Sequence, residues 1–138
     1  MKKKLRYMVV DDDATNNMIC DFTIKRFDKD ADKKIFAVPE KALAFIKEDF
    51  GKNSEAVHTV LFLDINMPTI TGWEFLDIFT KFEESLKDQF TIYILSSSIE
   101  DFTKEKEIYT CIQGFLSKPL KITNLESVKK ELQELQVY

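Results

Sequence analysis

The sequence predicts an α/β fold in which one parallel sheet of five strands is covered on both faces by five helices. Three observations carry that expectation. Val60, Leu61, Phe62 and Leu63 form an unbroken apolar run that suits a strand buried on both faces, and it stops at a carboxylate, Asp64. Four other short, largely apolar runs alternate with helical patterns along the chain. Four of the five runs end in polar residues, and parallel strands would gather those ends along one edge, where open α/β sheets hold ligands.

In chain order, Leu5 to Val10 reads as the first strand and ends at Asp11, Asp12 and Asp13. Thr15 or a neighbouring aspartate caps the first helix, whose Ile19, Phe22 and Phe27 are spaced for one buried side. Lys33 to Val38 is a shorter second strand, and Pro39 suits the first turn of a second helix with Ala42, Leu43 and Ile46 on its inner face. Phe50 to His58 reads as a polar connection into the central strand. The third helix opens near Gly72, with Phe75, Phe79, Phe82 and Leu86 as an amphipathic stripe that packs the core.

Thr91 to Leu95 is the fourth strand, ending at Ser96, Ser97 and Ser98, with Ser98 and Asp101 in the pattern of a capping box. The fourth helix, Asp101 to Tyr109, is mostly charged. Phe102, Ile108 and Tyr109 are its only large apolar residues, so its attachment to the sheet is expected to be weak. Gly114 to Ser117 is a short fifth strand ending at Lys118-Pro119. Thr123 and Glu126 read as a capping box for the last helix, whose inner stripe is Leu125, Val128, Leu132 and Leu135. Right-handed crossovers between five such units favour the flavodoxin-like strand order 2-1-3-4-5.

Composition excludes several classes. The 138 residues suit one domain spanning 1–138, with no output domain expected. A net charge of −4 argues against direct DNA binding. No stretch approaches the roughly 20 apolar residues needed to span a membrane, and the basic opening lacks the apolar run of an export signal. A cytoplasmic location is expected. Cys20 and Cys111 belong to no metal-ligand spacing and read as buried, reduced and structural. His58, the only histidine, reads as a loop residue preceding a strand.

In this topology Asp11, Asp12, Asp64, Ser96 and Lys118 share one pocket. Clustered carboxylates raise one another's pKa unless a cation joins them, and an all-oxygen ligand set favours a hard ion such as Mg²⁺. Lys118 adds a fixed positive charge and Ser96 a hydroxyl that can donate to an oxyanion. A carboxylate beside Mg²⁺ and lysine is a plausible nucleophile toward phosphorus, giving an aspartyl phosphate.

The ordered set Val9-Val10-Asp11-Asp12, LFLDINMP with Gly72 soon after, ILSSS and GFLSKPL resembles the receiver domain of two-component response regulators. The resemblance covers essentially the whole chain and points to the stand-alone type similar to the bacterial chemotaxis regulator. It implies that Asp64 is the phosphoacceptor, that Asp11 and Asp12 bind Mg²⁺ with Asp64, and that Asn66 contributes its backbone carbonyl. It implies Lys118 as the phosphate-binding lysine, Ser96 as the switch hydroxyl and Phe115 as the switch aromatic. The Lys118-Pro119 bond is expected to be cis. The implied partners are a sensor histidine kinase or histidine phosphotransfer protein, and a downstream protein or second copy on the face of the fourth helix, fifth strand and fifth helix. The chain is then a signalling phosphoacceptor with intrinsic self-phosphorylation and autodephosphorylation chemistry, not an enzyme.

Asp13 departs from the commonest pattern and reads as a helix cap; Ser97 stands where alanine is frequent, and Phe115 lacks the hydroxyl of a tyrosine. Three other readings compete. The first loop, DDDAT, has the D-x-D-x-T spacing of aspartate-nucleophile phosphohydrolases resembling the haloacid dehalogenase superfamily, and turnover of a small phosphate ester would separate the two. A flavodoxin-like FMN carrier needs a Ser/Thr-rich first loop where three aspartates would repel the phosphate. A module that has lost phosphorylation would not be expected to retain the acidic pair, acceptor, hydroxyl and lysine together.

Overall fold

The computed structural model describes residues 3–53, 57–97 and 101–137. Its five strands are β1 (Lys4–Val10), β2 (Asp32–Phe36), β3 (Val57–Leu63), β4 (Phe90–Ser96) and β5 (Ile112–Ser117). They form one sheet in the order β2-β1-β3-β4-β5, and every neighbouring pair is parallel. The flavodoxin-like α/β topology expected from the sequence is the one observed. Among the described residues five helical segments connect the strands, namely α1 (Ala14–Phe27), α2 (Pro39–Asn53), α3 (Gly72–Phe79), α4 (Glu84–Lys87) and α5 (Thr103–Ile108), and α6 (Ile122–Glu134) follows β5.

Alternation along the strands divides the core in two. Met8, Val10, Leu61, Leu63, Ile92 and Ile94 face α2, α3 and α4, meeting Ile46, Phe75, Phe79 and Leu86. Tyr7, Val9, Val60, Phe62, Tyr93 and Leu95 face α1 and α6, meeting Cys20, Ile24, Leu125, Val128 and Leu132. Each fully buried side chain of this size contributes roughly 2 kcal/mol. α5 has no buried residue, so it lacks that contribution and is held at its flanks by Phe102 and Tyr109, as the sequence led us to expect.

Several local expectations are corrected. The buried side of α1 consists of Asn16, Cys20, Thr23 and Ile24, while Ile19 and Phe22 are exposed and only Phe27 of the expected set packs inward. Asp11 dictates this rotation, because it draws the first turn toward the cleft through Asn16 and Asn17. Helix α2 continues through Gly51 to Asn53, so the polar connection is shorter than expected. His58 lies within β3, fully buried, with Nε2 2.8 Å from Thr91 Oγ1. The third helix is interrupted after Phe79. There the Thr80 hydroxyl donates to the Asp77 carbonyl and Lys87 Nζ caps the Thr80 carbonyl, so Leu86 reaches the core from a separate turn.

Helix α6 begins at Ile122, which puts Thr123 inside it; the Lys121 N–H donates to Asn124 Oδ1 instead of a Thr123–Glu126 box forming. Leu135 falls beyond its last turn and is exposed. Cys20 is buried and Cys111 half-buried, and both are free thiols. Ser98 lies outside the described residues, while Asp101 accepts from the N–H and hydroxyl of Thr103 at the start of α5.

Candidate functional site

The carboxyl ends of β1, β3 and β5 open onto a cleft of about 410 Å³ lined by Asp11, Asp12, Asp13, Asp64, Asn66, Ser97 and Lys118. Its first wall is the turn between β1 and α1. Asp13 caps α1, its carboxylate accepting from the N–H groups of Thr15 and Asn16, as read from the sequence. Asp11 is buried beside it. Its Oδ1 accepts from the Asp13 N–H at 2.9 Å and its Oδ2 from the Asn16 amide at 2.7 Å, while Asn17 donates to its backbone carbonyl at 2.8 Å. Asp12 is exposed at the cleft.

Asp64 follows the last residue of β3 and is itself only 7% exposed. The loop beyond it folds back hard. Gly72 N donates to the Ile65 carbonyl at 2.8 Å, and a Cβ at Gly72 would lie 2.5 Å from the Asp64 carbonyl oxygen. Any side chain there would push the acceptor loop out of place, so glycine is required by close approach. Thr71 and Glu74 then form a complete capping box at the start of α3.

Lys118 comes from the end of β5, where its N–H donates to the Ser96 carbonyl and its bond to Pro119 is cis. Its ammonium lies 2.7 Å from Asp11 Oδ2 and 3.2 Å from Asp64 Oδ1, bridging the two acids. Ser96 is buried at the end of β4, whereas its exposed neighbour Ser97 lines the cleft. Phe115 is half-buried on β5, stacked on Phe102 at 5.1 Å with Lys106 Nζ over its ring. The structure thus brings Asp11, Asp12, Asp64, Asn66 and Lys118 together in one cleft. Ser97 lines it in place of the expected Ser96, which is buried at the end of β4, and Phe115 on the next strand is set against α5.

Burial, and then the charge of Asp11, push the Asp64 carboxyl above the ordinary aspartate range, although Lys118 opposes them. For Lys118 burial alone would favour the neutral amine, but the Asp11 and Asp64 carboxylates outweigh it and hold the ammonium charged. Asp11, Asp12 and Asp64 each present an oxygen, and these three lie within 4.8 Å of one another. One lysine cannot neutralise three carboxylates. An all-oxygen set this close, short of positive charge, fits a hard divalent cation.

The chain matches the family model for the response regulator receiver domain over residues 7–130. It belongs to the response regulator receiver family. Similar solved structures include a two-component response regulator from Cytophaga hutchinsonii, 23% identical over 96% of this chain and 99% of that one, with a TM-score of 0.84. Another, from Legionella pneumophila, is 23% identical over 95% and 99% of the two chains, with a TM-score of 0.75. The Vibrio cholerae chemotaxis protein CheY4 is 21% identical over 93% and 98%, with a TM-score of 0.70. At such identities these likenesses establish the fold.

Reading the sequence missed the supports of the site more than its acids. Asn16 and Asn17, directly after a helix cap, were legible as first-turn residues able to reach back to the loop. The Thr71-x-x-Glu74 spacing was a legible capping box.

Proposed function

We propose that this receiver is the phosphoacceptor of a two-component phosphorelay, with Asp64 taking a phosphoryl group in an Mg²⁺-dependent transfer. The observation that carries the proposal is the placement of Asp64, a buried carboxylate bridged by Lys118 to Asp11 within an oxygen-only cluster. Asp11, Asp12 and Asp64 side chains and the Asn66 backbone carbonyl would hold Mg²⁺. When bound, it neutralises charge on the phosphoryl oxygens.

The donor is a sensor histidine kinase, a histidine phosphotransfer protein or a small phosphodonor. An Asp64 oxygen forms the new O–P bond as the P–N bond to the donor imidazole breaks. The released electron pair stays on that nitrogen, which takes up a proton. Lys118, 3.2 Å from Asp64 Oδ1, favours the carboxylate form that attacks, and it meets the charge of the transferring group. Water reverses the modification by attacking the same phosphorus as the Asp64 O–P bond breaks, releasing inorganic phosphate and returning the electron pair to the Asp64 carboxylate. The chain is accordingly a signalling phosphoacceptor with self-phosphorylation and autodephosphorylation chemistry, not an enzyme with turnover. On α1, which leads away from the cleft, Met18, Ile19 and Phe22 are exposed. That apolar strip supports a protein partner on this side.

For output, the phosphoryl group draws the Ser96 hydroxyl toward it, and Phe115 leaves its stack on Phe102 to fill the space behind β4. α5, with no buried residue, is the element most readily biased. A downstream protein or a second copy then reads the α5, β5 and α6 face. Among the described residues no helix is long and apolar enough to cross a membrane, and we assign the protein to the cytoplasm, where its two free thiols would stay reduced.

The test is uptake of one phosphoryl group from acetyl phosphate or a kinase with Mg²⁺. Asp12→Ala should weaken Mg²⁺ binding and phosphorylation together. Unchanged Mg²⁺ affinity in that variant would move the metal elsewhere. Amide exchange on adding beryllofluoride should change near Phe115 and Tyr109; changes confined to the loops of Asp12, Asp64 and Lys118 would refute the output route.

A further inference from the structure

Asp11 is the most heavily bonded acid of the cleft, and one of its partners has no part in the reaction described above. A carboxylate offers about four lone-pair sites. Among the described residues, Asp13 N–H takes one on Oδ1, while Asn16 Nδ2 and Lys118 Nζ take two on Oδ2. One site on Oδ1 is left. Asn16 is itself 5% exposed, on the inner side of α1, with its amide also 3.6 Å from Cys20 Sγ. A leucine at that position would suit the apolar surroundings of Cys20 and Ile24 better than an amide would. Its neighbour Asn17 bonds the backbone of Asp11 and not the carboxylate.

We propose that Asn16 is a positioning residue for the phosphoryl-transfer site, orienting the Asp11 carboxylate so that one Oδ1 lone pair is held out for the divalent cation. The inference rests on the phosphoacceptor reading. Asn16 does a second thing that Lys118 cannot. When Lys118 turns its ammonium to a phosphoryl group on Asp64, the amide stays on Asp11 Oδ2 and keeps that buried oxygen bonded. The carboxylate then has no reason to rotate away from the cation during the transfer.

The experiment is calorimetric titration of Mg²⁺ into the wild type, Asn16→Ala, Asn16→Leu and Asn17→Ala. Thermal unfolding and the rate of phosphorylation by acetyl phosphate against Mg²⁺ concentration are measured on the same samples. Asn16→Leu keeps the branched four-heavy-atom shape of the side chain and has the higher helix propensity, so it keeps the test available if the alanine variant folds poorly. Loss of one hydrogen bond to a charged group predicts about tenfold weaker Mg²⁺ binding in both Asn16 variants. Their phosphorylation rates should recover at saturating Mg²⁺, and Asn17→Ala should lose distinctly less affinity. A merely structural role would lower the unfolding temperature and leave Mg²⁺ affinity alone. Wild-type affinity in Asn16→Leu, or an equal loss in Asn17→Ala, overturns the proposal. A wild type that neither binds Mg²⁺ nor accepts phosphoryl overturns the phosphoacceptor reading itself, and this inference with it.

Discussion

The two ends of the sheet bury titratable groups in opposite ways. At the carboxyl ends, Asp11, Asp64 and Lys118 touch one another, with Asp12 exposed alongside, and the acids outnumber the cation. At the amino ends, buried Arg6 is balanced by Asp49, and His58 is buried with no charged group bonded to it among the described residues. Its Nε2 meets Thr91, and its Nδ1 has no partner among the described residues. Burial, and then the charge of Lys3, lower its pKa from the usual 6.5 to about 4, so it is neutral at physiological pH. Both places bury polar residues in or directly after a strand, yet only one has charge left over for a ligand to neutralise. What makes a site here is unbalanced charge held in contact, and burial alone does not supply it.

The largest effect expected to test this contrast is at His58. The folded protein binds its proton less tightly than the unfolded chain, so the unfolded state protonates first as pH falls. The stability it contributes is present in full above about pH 6.5 and is lost progressively down to about pH 4. The shift corresponds to about 3 kcal/mol. Urea unfolding of wild type and His58→Leu between pH 7.5 and 4 should show the wild type losing about that much more. Parallel losses would mean that His58 is not the buried neutral group described here.

At the other end the matching change is Lys118→Met, which removes the cation from two buried acids. It should cost about 2 kcal/mol in the absence of divalent ions, and Mg²⁺ should restore part of the loss because it meets the same carboxylates. Equal stability with and without Mg²⁺ in that variant would break the claim that unbalanced charge defines the cleft. The smallest effect belongs to α5. Ile108→Ala on α5 should change stability by no more than about 0.5 kcal/mol, since Ile108 is exposed and nothing on that helix is buried. A loss of several kcal/mol there would show α5 to be an anchored element and remove it as the readout.

The same contrast explains what could be read in advance. Strand order and the identity of the cleft acids were legible because a buried parallel strand has no use for a terminal aspartate such as Asp64 or a lysine such as Lys118. Their positions are set by topology, which periodicity reveals. The side of α1 that faces inward was not legible from apolar spacing, because hydrogen bonds from Asn16 and Asn17 to Asp11 override the hydrophobic preference of Ile19 and Phe22. His58 was misplaced for a similar reason. A polar residue next to polar neighbours looks like a loop until Thr91, on the adjacent strand, is known to meet it. The interruption of the third helix rests on Lys87 reaching back to Thr80, a contact seven residues long that the stripe of phenylalanines conceals.

The central claim is that the unbalanced charge of the cleft serves phosphoryl transfer to Asp64. The direct measurement is mass spectrometry with peptide mapping after incubation with acetyl phosphate and Mg²⁺, on the wild type and on Asp64→Asn. The account predicts one phosphoryl group per chain, on Asp64, absent without Mg²⁺ and absent from the variant. A phosphoryl group that maps to another residue, or that persists in Asp64→Asn, would contradict it.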